Sequence, residues 1–85
     1  MDFRWIEWNE EHATKHGVSV AEAEMLVRAA KRPYPKKHED GKWLVRARGR
    51  GGRFVQVIFL IDDDGTVFVI HARPLTEKEK RAFRK

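Results

Sequence analysis

His71 and Arg73 stand two residues apart in a segment rich in Val, Phe and Ile, so on a β-strand both side chains leave the same face. An imidazole and a guanidinium side by side can address one phosphate. Cleaving RNA without a metal needs a base for the 2′-hydroxyl proton, cations for the crowded phosphorane and an acid for the leaving oxygen. Taken alone, the pair reads more simply as a half-buried strand histidine and a surface ion-pair arginine, because isolated polar residues on strands are common. His12 and His16 lie four apart, a metal-capable spacing on a helix, yet no third ligand of suitable spacing accompanies them, and Asp62, Asp63 and Asp64 read as a solvated turn. No metal or cofactor is expected. Trp5, Trp8 and Trp43 could stack on bases, but in so small a chain they are expected in the core.

Charge is distributed unevenly. Residues 1–30 hold six acids against Arg4, Lys15 and Arg28, a balance of −3 within a total of +5, so the other 55 residues carry +8. Between positions 41 and 61 stand Lys42, Arg46, Arg48, Arg50 and Arg53 with no acid, a concentrated positive field that suits a polyanion or an acidic protein. The same stretch also fits a plain basic surface. Eighty-five residues make a single domain, residues 1–85, too short for two cores. The absence of cysteine removes disulfides and thiolate metal sites and fits a reducing compartment. The longest apolar run, residues 57–61, falls far short of the roughly 20 residues of a membrane span, so a soluble cytoplasmic protein with no membrane partner is expected.

The elements that must position these groups follow from periodicity and punctuation. Residues 3–8 alternate as a strand would. Asn9 is expected to cap a helix of about two turns, with Glu10 and Glu11 at its positive end and Gly17 as its stop. Ser19 and Glu22 form a capping box for a second helix whose apolar stripe is Val20, Ala23, Val27 and Ala30, ending before Pro33. Strands at 43–50 and 53–61 flank Gly51 and Gly52, and Asp64-Gly65 leads into a third at 66–73. Thr76 and Glu79 form another capping box, opening a C-terminal helix anchored by Phe83, and residues 34–37 make a weak edge strand beside two prolines. The class is α+β: an antiparallel sheet of an N-terminal strand plus a three-stranded meander, with two N-terminal helices and one C-terminal helix.

Even-length hairpin loops would put Arg46, Arg48, Arg50 and Arg53 on the face of Val55, Val57, Phe59, Phe68, Ile70 and Ala72. The other face would carry Val45, Ala47, Phe54, Gln56, Ile58, Val67, Val69, His71 and Arg73, with Gln56, His71 and Arg73 in a half-covered concave patch. A bulge would reverse these assignments beyond it.

The ordered set Asn9, Lys15-His16-Gly17-Val18-Ser19 with Glu22, Gly49-Arg50 and Gly52-Arg53, Ile70, Ala72-Arg73 and Glu79 resembles the BrnT family of type II toxin-antitoxin toxins, across nearly the whole chain. The resemblance implies a RelE-like fold and metal-independent cleavage of mRNA, ribosome-associated in some settings, that arrests translation. It further implies a cognate antitoxin that binds the toxin, in a heterotetramer, and represses the shared operon. It favours Lys15, His16, Arg50, Arg53 and Arg73 as functional residues. With the basic stretch it gives His71, Arg73 and Arg50 as catalytic candidates, and Lys15, His16, Arg46, Arg48 and Arg53 as RNA-binding candidates. His12, His71 and Phe83 stand where relatives often have Asn, Ser or Thr, and Tyr. The alternative is a non-catalytic RNA-binding or antitoxin-binding module of the same fold.

Overall fold

Ser19 opens the second helix as its spacing predicts, its Oγ accepting the Glu22 N–H at 3.1 Å, and the computed structural model, which describes residues 1–84, is organised around what that helix buries. In chain order the elements are α1 (Glu7–Thr14), α2 (Val20–Arg28), β1 (Lys36–Lys37), β2 (Trp43–Arg48), β3 (Phe54–Ile61), β4 (Val67–Pro74) and α3 (Glu77–Phe83). The four strands form one antiparallel sheet in the order β1-β2-β3-β4. Among the described residues no helix is long and apolar enough to cross a membrane.

One sheet face, with Val45, Val55, Val57, Phe59, Val67, Val69 and Ala72, packs beneath the helices with Ala13, Val18, Ala23, Leu26 and Val27 as the buried core. The α2 stripe differs from its expectation, with Leu26 and the carboxylate of Glu22 buried beside Ala23 and Val27, while Val20 is only partly buried and Ala30 lies past the end of the helix.

The N-terminal strand does not form. Phe3 makes a single parallel bridge to Val67, with Arg4 N–H donating to the Val67 carbonyl at 2.9 Å and Val67 N–H to that of Asp2 at 2.8 Å. Asn9 explains why pairing stops there. Rather than capping α1 it sits in the first turn, fully buried, where its Oδ1 accepts from Ile6 N–H at 2.7 Å and its Nδ2 donates to the carbonyls of Arg4 and Val69. It thereby occupies the next acceptor on the β4 edge that an extending strand would need. The fourth strand is instead β1, the short edge at Lys36–Lys37.

Both hairpins close with five intervening residues, 49–53 and 62–66, rather than the even numbers expected, two at Gly51-Gly52 and four at residues 62–65. The odd loop pairs Arg46 with Gln56 and Arg48 with Phe54, so Arg46 and Arg48 join the face of Phe54, Gln56, Ile58, His71 and Arg73, and Val45 and Ala47 go to the core. A bulge at Ile70 then shifts the register between Ile58 and Phe59, sending Val67 and Val69 to the core face and Phe68 to the polar one. Trp8 leaves the core altogether, half-exposed and stacked on Phe68 with centroids 6.2 Å apart.

The 49–53 loop is fastened from below. Glu22, only 2% exposed, accepts the Arg50 N–H on Oε2 at 2.8 Å and the Arg53 guanidinium on Oε1 at 2.7 Å. A Cβ at Gly49 would overlap that carboxylate, so the loop can approach Glu22 only because Gly49 has no side chain. Gly49→Ala is expected to lower unfolding free energy by about 1–3 kcal/mol in urea denaturation, through overpacking against a buried charge; an unchanged midpoint would show that the carboxylate yields without cost.

Candidate functional site

The polar face of the sheet is bounded by α1 along the β4 edge and by α3 across the far end of β4. His71, at the centre of β4, meets His16 from the turn after α1, the two rings edge to face with centroids 5.6 Å apart. Gly17, with φ +85°, makes the reversal that ends α1 beside His16, and its carbonyl accepts from Arg53 Nη2 at 2.8 Å. Lys15, exposed and in no ion pair among the described residues, completes this corner. The Lys15, His16, Arg53, His71 and Arg73 candidates therefore lie along one continuous surface.

Arg73 is not a free cation. Both of its terminal nitrogens bind Glu79, at 2.7 and 2.8 Å, and one also donates to the Pro74 carbonyl at 3.1 Å. Arg46 holds the Gln56 amide oxygen at 3.0 Å and reaches the same Glu79 carboxylate at 3.4 Å. One carboxylate thus lies between two guanidiniums, leaving the trio with a net single positive charge. Glu79 also satisfies the α3 capping box, accepting Thr76 N–H at 2.8 Å, so one side chain caps the helix and orients two arginines. Arg53 is likewise engaged, by Glu22, and Arg50 contributes its main chain to Glu22 while its side chain stays exposed in no ion pair among the described residues. Arg48 sits away from His71 near the end of β2, its guanidinium 4.8 Å above the Phe54 ring.

Charge follows this geometry. Burial lowers the His71 pKa below its ordinary 6.5, and the positive charges of Arg73, His16 and Lys15 lower it further, so its imidazole is neutral at pH 7 and able to accept a proton. Glu79 is held down to about 2, first by hydrogen bonds from Arg73 and then by the Thr76 backbone. Its partner Arg73 is raised for the same reason. His12 is drawn onto Trp8, with ring centroids 4.2 Å apart and Nδ1 2.7 Å from the Trp8 carbonyl. Among the described residues no group of three or more His, Asp or Glu gathers in a way that could hold a metal ion.

Glu22 and Asn9 organise the site without touching its open surface, and neither function is visible from its local motif. The signal for Glu22 is its place as a lone acid on the apolar stripe of α2, facing a basic stretch that contains no acid of its own. Fold and site together describe an α+β domain with a paired-histidine cationic face. No family model, curated protein or solved structure matches the chain.

In an NMR titration the His71 ring is expected to lose its proton below pH 6.5, and the Glu79 carboxyl near 2. Both pKa values are depressed on folding. His71 therefore contributes stability fully above pH 6.5 that falls away as pH drops through its folded value, and Glu79 contributes stability above about 4.5 that is lost on the way to 2. A His71 midpoint at or above 6.5 would contradict this electrostatic picture.

Proposed function

We propose that the chain is a metal-independent endoribonuclease of the RelE-like, BrnT-like kind, a toxin neutralised by a cognate antitoxin. The observation that carries the reading is the juxtaposition of His16 and His71 on a cationic surface. His71, neutral at pH 7, takes the proton of the RNA 2′-hydroxyl. The 2′-oxygen attacks the adjacent phosphorus and the bond from phosphorus to the 5′-oxygen breaks. His16 acts as the general acid that supplies a proton to that leaving oxygen, and the products are a 2′,3′-cyclic phosphate and a 5′-hydroxyl. Exchange with water returns both imidazoles to their starting states.

The cations divide into two roles. Lys15 and Arg50 are unpaired, so they are the groups for holding phosphate and stabilising the charge that develops on it. Arg73 and Arg53 are fixed by carboxylates and act mainly as positioning residues, Arg73 by adding its charge to the burial that lowers the His71 pKa and Arg53 by fastening the turn that carries His16. Arg46 and Arg48 extend the basic track along β2, and affinity for RNA should fall with added salt.

The engagement of Arg46 and Arg73 by Glu79 favours a second reading, since it reduces the cationic charge available to a transition state. In that reading the face is a non-catalytic RNA-binding or antitoxin-binding surface. His71→Ala separates the two, because an imidazole matters to proton transfer far more than to docking. In EDTA, the purified protein is expected to cleave single-stranded RNA, with His71→Ala and His16→Ala each slowing cleavage by about 10²–10⁴-fold while the protein stays folded. Salt-dependent RNA binding with no cleavage would support the non-catalytic reading, and wild-type rates in both variants would refute the proposed site.

A further inference from the structure

β1 pairs with β2 only at Lys36↔Leu44 and Lys37↔Trp43, leaving the rest of the β2 edge open. The next hydrogen-bonded pair would join Tyr34 to Arg46, but Tyr34 N–H donates instead to the Lys31 carbonyl at 2.9 Å, in a turn flanked by Pro33 and Pro35, so the ladder stops short of Arg46 and Arg48. The direction of the unpaired groups follows from the hairpin. Gly49 N–H donates to the Arg53 carbonyl at 2.7 Å, so residues 45, 47 and 49 turn their main chain toward β3. Arg46 and Arg48 therefore turn their N–H and C=O groups outward, with no strand beside them.

Along this open edge runs a groove of about 770 Å³ between α2 and α3. Its walls are largely apolar: Met25 and Leu26 from α2, Tyr34 from the connecting loop, Ala47 and Phe54 from the sheet, and Phe83 from α3. Phe83 packs against Phe54 and Tyr34 with centroids 5.4 and 6.1 Å apart, giving the groove a continuous aromatic floor. Exposed cations stand around the mouth: Lys31, Arg32, Lys36 and Arg48.

We propose that this groove is a docking site for an extended acidic-apolar segment of a partner protein, which adds to the sheet as a strand beside Arg46 and Arg48. The open main-chain groups supply the backbone hydrogen bonds, alternate apolar side chains of the segment enter the groove, and its carboxylates meet the rim. Charge complementarity selects this occupant. A second copy would bring the same cations against these, and charge on an edge strand opposes such self-pairing. RNA would meet the rim but has no strand of peptide groups for the open edge. The proposal shares Arg46 and Arg48 with the proposed RNA track but uses neither His16 nor His71, so peptide binding and RNA cleavage are read separately.

The test uses a fluorescein-labelled octapeptide of alternating valine and glutamate with the intact protein, read by anisotropy and by amide shifts. Binding should perturb the amides of Arg46 and Arg48 and weaken with salt. N-methylation of the peptide on its pairing edge should lower affinity at least about tenfold, since it removes hydrogen bonds while keeping charge and side chains. Arg48→Glu should weaken binding about tenfold through the lost attraction, in a fold whose exposed position 48 tolerates the change. The proposal is overturned by any of three results: equal binding of the methylated peptide, no binding near 1 mM peptide, or perturbation of residues 46 and 48 by a uridine oligonucleotide but not by the peptide.

Discussion

The buried carboxylate of Glu22 is the constraint on which the arrangement rests. Sequestered charge is costly unless it is paired and hydrogen-bonded, and Glu22 meets that requirement through groups from the β2–β3 loop, the Arg50 N–H and the Arg53 guanidinium. Arg53 in turn holds the Gly17 carbonyl, in the turn that sets His16 against His71. A carboxylate on α2 therefore determines where a histidine from the end of α1 meets one on β4. Glu79 plays the corresponding part at the other end of the face, fixing Arg46 and Arg73 while capping α3.

These ties explain why a basic chain keeps two of its most conspicuous arginines engaged. Arg53 and Arg73 each sit beside a carboxylate, and the unpaired positive charge remains on Lys15, Arg50 and Arg48. The result is a surface with a neutral imidazole in a positive field, rather than a uniformly cationic patch. Burial depresses His71 first and nearby cations depress it further, and Glu79 holds one of those cations, Arg73, in place.

Local chemistry was legible in the sequence wherever a single residue type decides the outcome. The Thr76–Glu79 capping box, the Ser19 cap, the stop at Gly17, the end of α2 before Pro33 and the three long strands follow from such signals, whereas the Ser19–Glu22 box closes on the serine side only, because the Glu22 carboxylate turns to Arg50 and Arg53. Register was not legible, because Gly51-Gly52 fits a two-residue turn as well as the middle of a five-residue loop, and one residue of difference moves Arg46 to the other face. The Ile70 bulge has no marker of its own, yet it restores Val67 and Val69 to the core. The N-terminal strand failed for a long-range reason, the claim of Asn9 on the Val69 carbonyl sixty positions away. The grouping of Gln56, His71 and Arg73 survived because the β3–β4 pairing beyond the bulge keeps the expected parity.

The central claim is that this face uses the 2′-hydroxyl of RNA as the nucleophile, and one measurement addresses it directly. An end-labelled RNA oligonucleotide and its 2′-O-methyl counterpart are each incubated with the protein in EDTA, and the product termini are identified. The account predicts 2′,3′-cyclic phosphate and 5′-hydroxyl ends from the RNA and no cleavage of the methylated strand. Cleavage of the methylated strand, or products ending in 3′-hydroxyl and 5′-phosphate, would contradict it.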